Sequence, residues 1–450
     1  MTQSEIRATG SLAAIFAMRL LGLFMIYPVF ARYAGQLRGA TPETIGLALG
    51  AYGLTQGLLQ IPFGFLSDRI GRKVMITVGL MLFGIGSAVA AVATSIDGVI
   101  VGRVLQGTGA VGSVILALIA DLTREEVRTK AMAIVGITIG FSFVVAIGIG
   151  PLVANAVGVP GIFWLTAIMA LVGIAIAQSM VPTPSRIVRH HDAQAVPQLL
   201  AQVLGDRELL RLDFAIFALH AILTASFLAV PPLLLGALHL AAGRDWLVYL
   251  PVLAASVALM VPAIILAETK QRMKEVFIAA IAVLAASQLA LARAEGVAAV
   301  AVAALVGFFT AFNVMEAILP SLVTKTAPAG AKGTATGVYS SSQFLGIFVG
   351  GVAGGWALGL GGPAGVFSFT LIAALLWLPV AATMRRPGHY ASYIVPLRRG
   401  DGPEAGTLAA RLEALPGVIE AAVAIEEGVV HLKIDRMRFD PAAAARLAAG

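Results

Sequence analysis

Runs of about 20 consecutive apolar residues dominate this 450-residue chain. A helix of that length crosses the roughly 30 Å hydrocarbon core of a bilayer. Only helices and closed barrels satisfy all their backbone hydrogen bonds there, and continuous rather than alternating runs indicate helices. We therefore predict an all-α polytopic membrane protein with twelve spans, at 11–31, 45–66, 74–95, 98–120, 130–154, 159–181, 212–235, 246–267, 276–293, 297–320, 333–357 and 364–384.

The composition excludes an ordinary soluble protein. Hydrophobic residues make up 59% of the chain and charged residues only 12%, whereas soluble domains carry about 25% charged residues. Too little polar surface is left to cover a globule in water. The short polar segment before span one has no cleavage signal of the secretory type, so we expect that span to be retained.

The positions of the basic residues indicate a membrane topology. The net charge of +7 could suggest a nucleic-acid partner. However, loops after even-numbered spans carry fifteen Lys and Arg residues, and loops after odd-numbered spans carry four, namely Arg32, Arg38, Arg244 and Arg293. The positive-inside rule then predicts that both termini are cytoplasmic, and we expect no nucleic-acid partner.

Several classes of chemistry lack their characteristic residues. The chain contains no cysteine, which removes disulfides, thiolate catalysis and Cys-based metal sites. No Walker-type glycine loop is present, so ATP-driven transport by this chain alone is not expected. We predict a protein that is not an enzyme and that needs no cofactor and no metal.

A charged motif occurs twice at half-chain spacing. The first copy, between spans two and three, reads Gly64-Phe-Leu-Ser-Asp68-Arg69-Ile-Gly71-Arg72-Lys73. A weaker copy 200 positions later has Pro262, Glu268 and Arg272 where the first has Pro62, Asp68 and Arg72. Repetition of this kind indicates two homologous six-helix halves, an architecture of secondary transporters.

Two polar interruptions divide the chain. Residues 182–211, which include His190-His191, predict a cytoplasmic linker between an N-terminal bundle (1–181) and a C-terminal bundle (212–386). The adjacent histidines have no carboxylate partners, so we interpret them as solvated linker. Residues 387–450 predict a small cytoplasmic α/β domain of ferredoxin-like order βαββα, with strands at 393–397, 418–426 and 429–435 and helices at 404–415 and 441–449.

Four residues with charged or imidazole side chains lie inside predicted spans and more than two residues from either end, where a charge costs about 2.5–3.5 kcal/mol on insertion scales. They are Arg19 in span one, Arg103 in span four, His220 in span seven and Glu316 in span ten. Glu316 and His220 are the candidates for proton coupling, because both groups can exchange a proton when their surroundings change. In the alternative, Glu316 only neutralises a nearby arginine and His220 is satisfied by backbone carbonyls.

Four polar residues of the spans are candidates for contacts inside a cavity. We predict that Arg19, Arg103, Asn313 and Gln343 supply charge and hydrogen bonds to a substrate, with Asn313 one helical turn from Glu316 to hydrogen-bond it. In the alternative, Arg19 snorkels to the membrane surface and Arg103 is a structural anchor.

A second charged network is predicted at the first motif. Asp121 ends span four on the side where the Arg72 loop lies, so an Arg–carboxylate pair is expected. Asp68 can face the N-terminus of span eleven near Gly333, where the helix dipole favours an anion. We interpret these residues as a conformational lock between the halves, in which Gly64, Arg69, Gly71, Lys73, Glu268 and Arg272 also take part. The alternative is a basic loop that serves topology alone.

Glycine is frequent in spans five and eleven. Small residues let helix backbones approach closely and slide past one another. We predict that Gly150, Gly350 and Gly354 are packing positions between moving helices.

The motifs together resemble the major facilitator superfamily, and within it the YajR family of bacterial inner-membrane proteins. The segments that carry this resemblance are 19–28, 52–57, 60–73, 120–126, 128–132, 312–316 and 337–346. That family also has a ferredoxin-like cytoplasmic C-terminal domain. The stretch Gly102-Arg103-Val-Leu-Gln106-Gly107 resembles the span-four motif of drug–proton antiporters. Gly150-Pro151 resembles their span-five motif, with Ala154-Asn155 where two glycines are usual.

The resemblance implies a fold and a class of function. In the superfamily, spans one, four, seven and ten line a central cavity, and the YajR family is regarded as proton-driven drug exporters. We therefore expect a proton-coupled antiporter of the bacterial inner membrane that exports a small amphipathic compound, with protons, that compound and the bilayer as partners and a monomer sufficient for transport. A symporter or uniporter for a nutrient such as a sugar, and a membrane sensor that uses the tail domain, remain alternatives.

Overall fold

The computed structural model describes residues 1–183, 197–238, 244–294, 296–385, 390–397, 405–424, 428–435 and 438–448. The His190-His191 pair, much of the predicted linker and the predicted turn at Glu427 lie outside the described residues. We give the elements their own labels in chain order.

Seven helices form the N-terminal part of the bundle: α1 Gln3–Phe24, α2 Tyr27–Ala34, α3 Pro42–Ile70, α4 Arg72–Val92, α5 Ile96–Thr108, α6 Gly112–Leu122 and α7 Glu125–Ser179. Predicted spans one and four are thus each divided into two helices. Pro28 stands in the first turn of α2, where a missing N–H costs nothing, and it cannot continue α1. Helix α7 contains spans five and six, separated by a kink at Gly158, whose φ of 72° favours glycine.

Six helices form the C-terminal part: α8 Pro197–Gly205, α9 Arg207–Leu238, α10 Trp246–Thr269, α11 Met273–Leu291, α12 Ala298–Thr326 and α13 Lys332–Ala382. Helix α13 again holds two spans, and it breaks at Gly361 and Gly362 before Pro363. Within the described ranges, nine helical segments are long and apolar enough to cross a membrane, with α1–α2 and α5–α6 each counted as one. Two of these segments are pairs joined across a kink, and α3, which is less apolar, supplies a twelfth crossing. The predicted fold class is confirmed.

The two halves meet along α3 and α13 through glycines that face one another. A Cβ atom at Gly46 would overlap the carbonyl oxygen of Gly351, and a Cβ at Gly53 would overlap that of Phe344. Close backbone approach of this kind is how membrane helices gain packing without a hydrophobic driving force. The α3–α13 contact therefore depends on the absence of side chains.

Glycines also hold helices together within each half. Gly350 and Gly354 of α13 pack against Ala221 and Ala225 of α9. Gly150 of α7 lies directly against the backbone of Met25, at the end of α1. All three glycines singled out in the sequence lie at helix–helix contacts.

The two copies of the charged motif have one structural feature in common. Lys73 Nζ donates to the carbonyl oxygens of Gln178 (3.4 Å) and Val181 (2.9 Å), at the end of α7. Lys274 Nζ, one residue beyond the equivalent position in the second copy, donates to those of Ala382 (2.7 Å) and Met384 (2.6 Å), at the end of α13. A cation at a helix C-terminus satisfies free carbonyls and complements the helix dipole. Each lysine thus ties the start of its half's third span to the end of its sixth.

We call the end of the bundle where these lysines lie the basic end, defined by Arg72, Arg124, Lys274 and Lys325.

A three-stranded antiparallel sheet forms the C-terminal domain. Its elements are β1 Tyr390–Pro396, α14 Ala405–Glu413, β2 Val418–Ala424, β3 Val429–Asp435 and α15 Pro441–Ala448, with the strands in the order β1-β3-β2. The leucines of α14, Leu408 and Leu412, are buried with Val430 and Leu432 of β3 and Ala444 of α15. The order βαββα is as predicted, and β1 begins three residues before the predicted start at Tyr393.

Candidate functional site

Three polar side chains from three helices of the C-terminal half meet inside the bundle. His220 of α9 is 1% exposed, and its Nε2 lies 3.3 Å from Oε1 of Glu316 on α12. The same Nε2 lies 2.8 Å from Nε2 of Gln343 on α13. We call these three residues the His–Glu–Gln cluster.

The hydrogen bonds of His220 define its protonation. Nδ1 lies 3.3 Å from the carbonyl oxygen of Ile216, one turn earlier in α9, and a carbonyl only accepts. Nδ1 therefore carries a proton and Nε2 accepts from the Gln343 amide, which is the neutral form of the ring. If Nε2 gains a proton it must donate instead, and the acceptor within reach is Glu316 Oε1. A proton can thus move between Glu316 and His220.

The surroundings of the cluster differ on its two sides. The ring of Phe312 lies edge-on to His220 at 5.7 Å and shields it. The Glu316 side chain is 30% exposed, so its carboxyl group, unlike the His220 ring, is only partly covered by protein. Asn313 does not bond to Glu316 as we predicted from the spacing. Its Nδ2 donates to Ser256 Oγ of α10 at 3.0 Å, because residues three apart on a helix are about 60° out of line and Asn313 turns toward α10.

Arg19 lies in a polar group of the N-terminal half. It is buried and donates to Tyr52 Oη at 2.7 Å and to Gln56 Oε1, both on α3. Gln56 in turn donates to Gln60 at 2.6 Å. Tyr52, Gln56 and Gln60 lie in segments that carry the family resemblance but were not predicted as site residues, although their spacing of four places them on one helix face.

Arg103 is fully buried, with 0% exposure. Its guanidinium donates to Gln106 Oε1 (2.9 Å) and to the backbone carbonyls of Ala48 (3.4 Å) and Leu49 (3.3 Å), and it lies 5.1 Å from the ring centre of Tyr52. These contacts tie α5 to α3 and correspond to the structural-anchor alternative. Arg103 and Arg19 share Tyr52 and so belong to one network.

Arg72 lies between two carboxylates at the basic end. Its Nε is 3.0 Å from Asp121 Oδ2, with both side chains fully buried, and its NH1 pairs with Asp68. Gly71, with φ of 109°, makes the turn that brings Arg72 back over the end of α3. The geometry is that of the expected Arg–carboxylate network, and Arg69 is exposed. Gly64 is linked to the network through Ser67, whose Oγ donates to the Gly64 carbonyl oxygen (2.6 Å) and accepts from Arg72 NH1 (2.5 Å).

The second copy of the motif forms a weaker pair. Glu268 lies 3.6 Å from Lys325 at the end of α12, and both side chains are partly exposed. Arg272 is exposed and stands at the N-cap of α11. The charges are therefore reversed between the halves. In the first half the motif supplies the cation, Arg72, of the pair with Asp121, and in the second half it supplies the anion, Glu268. Exposed pairs contribute about 0–1 kcal/mol, so this contact is a minor one.

Comparison with known proteins identifies the family. Residues 12–351 match the profile of the Major Facilitator Superfamily. The chain belongs to the Major Facilitator Superfamily. It is 42% identical over 435 residues to the inner membrane transport protein YajR of Escherichia coli. The match covers 97% of this chain and 95% of YajR.

More distant relatives are also transporters. An uncharacterised transporter of Buchnera aphidicola is 33% identical over 348 residues, and the match covers 77% of this chain and 89% of that transporter. The quinolone resistance protein NorA of Staphylococcus aureus is 26% identical over 206 residues, which is 45% of this chain and 50% of NorA. Among solved structures, a bacterial homologue of the human lysosomal transporter Spinster has the same fold, with a TM-score of 0.70 at 13% identity, over 86% of this chain and 98% of that one.

The family membership agrees with the fold. The chain is a multi-pass transporter of the inner membrane and not an enzyme. Its substrate is a small molecule, as for superfamily members generally.

Proposed function

We propose that the chain is a proton-coupled antiporter that exports a small amphipathic compound by alternating access. The observation that carries the proposal is the His–Glu–Gln cluster, in which an accessible carboxyl group lies 3.3 Å from a buried imidazole. Intramembrane ionisable groups in transporters commonly mark ion or proton pathways. Glu316 carries the coupling proton, and His220 is its partner.

The coupling follows from the electrostatics of the cluster. A proton on Glu316 removes a charge from the interior, and its departure leaves a carboxylate that His220 stabilises by taking up a proton at Nε2. Each protonation state has a different hydrogen-bond pattern with Gln343. The proton and the cargo are exchanged when they favour opposite conformations of the bundle, because a ligand shifts an equilibrium only by its differential affinity for the two states.

The character of the cargo is inferred from the aromatic residues beside the cluster. Ring centres of Phe24 and Phe143 lie 5.0 Å apart, and those of Phe143 and Phe312 lie 5.1 Å apart. This row joins α1, α7 and α12 next to His220. These rings are buried against one another, and the Phe143–Phe312 contact joins the two halves. Apolar surface of this kind with few polar anchors, once the halves separate, suits an amphipathic compound, whereas a sugar requires many hydrogen-bond partners. The name of NorA, a quinolone resistance protein, is in keeping with such cargo.

The topology and the lock complete the proposal. The excess of Lys and Arg at the basic end supports a cytoplasmic position for that end and for both termini. We place the domain boundaries at 1–181, 182–211, 212–386 and 387–450. The Arg72 network acts as a cytoplasmic lock that favours one conformation, and the monomer suffices for transport.

The experiment that tests the proposal uses Glu316→Gln in proteoliposomes with an imposed pH gradient. Glutamine keeps the shape and most hydrogen bonds but cannot release a proton. We expect uphill accumulation of a quinolone or of an amphipathic dye to be lost, while downhill exchange of the same compound persists. The matched control is Glu268→Gln, which removes an exposed carboxylate near the basic end and leaves both activities within about twofold. Uphill transport by Glu316→Gln with an unchanged pH profile would refute the proton-carrier role.

A further inference from the structure

Two more polar side chains are buried on the helices that carry His220 and Gln343, in the direction of the basic end. Asp213 lies seven residues before His220 on α9, and Tyr339 lies four residues before Gln343 on α13. Each residue is only 6% exposed. Asp213 Oδ2 and Tyr339 Oη have no hydrogen-bond partner among the described residues. Neither residue belongs to the His–Glu–Gln cluster, and neither is used by the function proposed above.

The depth of these groups in the bundle gives them an order. At 1.5 Å per helical residue, Asp213 and Tyr339 lie about 10 Å from the ends of α9 and α13 at the basic end. Glu316 lies about 15 Å from the end of α12, and His220 about 20 Å from the start of α9. Tyr339 lies about 6 Å along α13 from Gln343, whereas Asp213 lies about 10 Å along α9 from His220, so the phenol is nearer to the cluster. The three groups thus form a series from the cluster toward the basic end, with the phenol in the middle.

The chemistry of the series suits proton transfer. A buried polar atom without a partner is destabilising and requires an explanation. A phenol hydroxyl both donates and accepts a hydrogen bond, so it can pass a proton by giving up its own while it receives another. A carboxylate is a suitable acceptor. The helices that pack against α9 carry other ionisable groups near the basic end: Glu316 and Lys325 on α12, Tyr339 and Lys332 on α13, and Asp68 and Arg69 on α3. Helix α9 itself supplies His220, and α8 contributes no ionisable side chain. The nearby Arg211 pairs with Glu208.

We propose that Asp213 is the acceptor through which the coupling proton leaves the cluster toward the basic end, and that Tyr339 relays it. The inference rests on the proton-coupled function proposed above. Because Tyr339 Oη is not hydrogen-bonded to either carboxyl group, the transfer requires bridging water molecules or a side-chain rotation. The proton released by Glu316 arrives at Tyr339 Oη, while the hydroxyl proton of Tyr339 passes on to the Asp213 carboxylate. Glu316 becomes a carboxylate, Asp213 becomes a carboxylic acid, and Tyr339 is unchanged. Asp213 then releases the proton to water at the basic end.

The test compares Asp213→Asn and Tyr339→Phe with Glu316→Gln, all in the full chain in proteoliposomes. Both substitutions conserve shape. With an amphipathic dye as cargo, we expect uphill transport by Asp213→Asn and Tyr339→Phe to slow at least tenfold, while downhill exchange stays within twofold. Formate or azide in the lumen that faces the basic end should restore much of the Asp213→Asn rate, because a small mobile acid can replace a missing acceptor. The matched control is Asp206→Asn, which keeps the N-terminal cap that Asp206 forms on α9.

Two outcomes would overturn the relay. Unchanged uphill transport and pH profile in Asp213→Asn would show that the proton leaves by another route. Loss of exchange together with uphill transport, without rescue by formate or azide, would show a structural role. The proposed function is tested separately, because it fails only if Glu316→Gln still drives uphill transport.

A second measurement needs no cargo. Infrared titration of the full chain should show a protonated carboxyl band that is absent from Glu316→Gln. We expect Asp213→Asn to move the pH midpoint of that band by at least half a pH unit when Tyr339 is present. The same substitution made together with Tyr339→Phe should move the midpoint by less. Equal midpoints in all three chains would contradict the coupling between these groups.

Discussion

Arg72 is the residue on which the proposed lock depends. Its guanidinium is buried at the basic end of the bundle and has two carboxylate partners, Asp68 and Asp121. Removing one partner of a buried ion pair is more costly than the pair is stabilising, because the other charge remains unpaired in a poor solvent. Removing one of these partners therefore destabilises the conformations in which the network is complete more than the other conformations.

The lock can be tested with Asp68→Asn and Arg72→Ala. We expect both to loosen the closure of the basic end, since a network that favours one state by about 1–3 kcal/mol shifts its population 5- to 150-fold. The measurement is cross-linking between cysteines introduced at the basic ends of α3 and α13, in a chain that has no cysteine of its own. Arg69→Ala, which removes an exposed charge of the same motif, is the control. Equal cross-linking in all chains would contradict the lock.

At the scale of elements, glycine determines how the helices pack. The α3–α13 and α1–α7 contacts bring backbones so close that a methyl group would not fit at Gly46 or Gly150. Other glycines of the same spans have free space: a Cβ at Gly136 or Gly140 meets nothing within 4 Å. Glycines of one span therefore fall into two classes: those packed against another helix backbone and those with free space beside them.

This contrast predicts different effects of the same substitution. We expect Gly46→Ala and Gly150→Ala to lower the thermal unfolding temperature in detergent and to reduce transport, because the helices must separate to admit the methyl group. Gly136→Ala should leave both unchanged or raise stability slightly, since alanine is the better helix former. Thermal melts of the three purified variants would check this. A Gly46→Ala protein as stable as the Gly136→Ala protein would contradict the packing argument.

At the scale of the whole molecule, the C-terminal domain contacts a helix that carries a site residue. Lys433 Nζ of β3 donates to the carbonyl oxygens of Thr326 (2.9 Å) and Ala327 (3.2 Å), at the end of α12. Burial lowers the pKa of Lys433 below its ordinary value, which indicates that the ammonium group loses water on docking. Glu316 lies in the same helix, so a change in the position of the domain can act on the cluster through α12.

Lys433→Ala tests this contact. We expect the variant to insert and fold but to transport at a rate changed several-fold, because the end of α12 loses a cation that its carbonyls bind. Truncation after Arg386 should have the same effect, and Arg446→Ala, which alters an exposed residue of the same domain, should have none. Loss of insertion on truncation would show that the domain is structural, and an unchanged rate in Lys433→Ala would exclude regulation through this contact.

Much of the architecture could be read from the chain alone. Apolar runs of about 20 residues have few folded solutions in a bilayer, so the spans and the fold class followed from length and periodicity. The repeated motif indicated two halves, and alternation with turn residues indicated the small sheet. Local rules sufficed for the helices because each helix satisfies its own backbone hydrogen bonds, and for β2 and β3 because they are consecutive in the chain and pair with each other.

The partners of the polar side chains required the folded structure. Asn313 bonds Ser256 rather than Glu316, Arg103 anchors α5 to α3, and Asp213 and Tyr339 were not recognised by sequence reasoning. The first two contacts join residues on different helices, and the burial of Asp213 and Tyr339 comes from neighbouring helices. All of these features depend on how far each helix is rotated about its axis and shifted along it. Those two quantities are set by the packing of glycines and side chains between helices, and hydropathy along one helix carries no information about them.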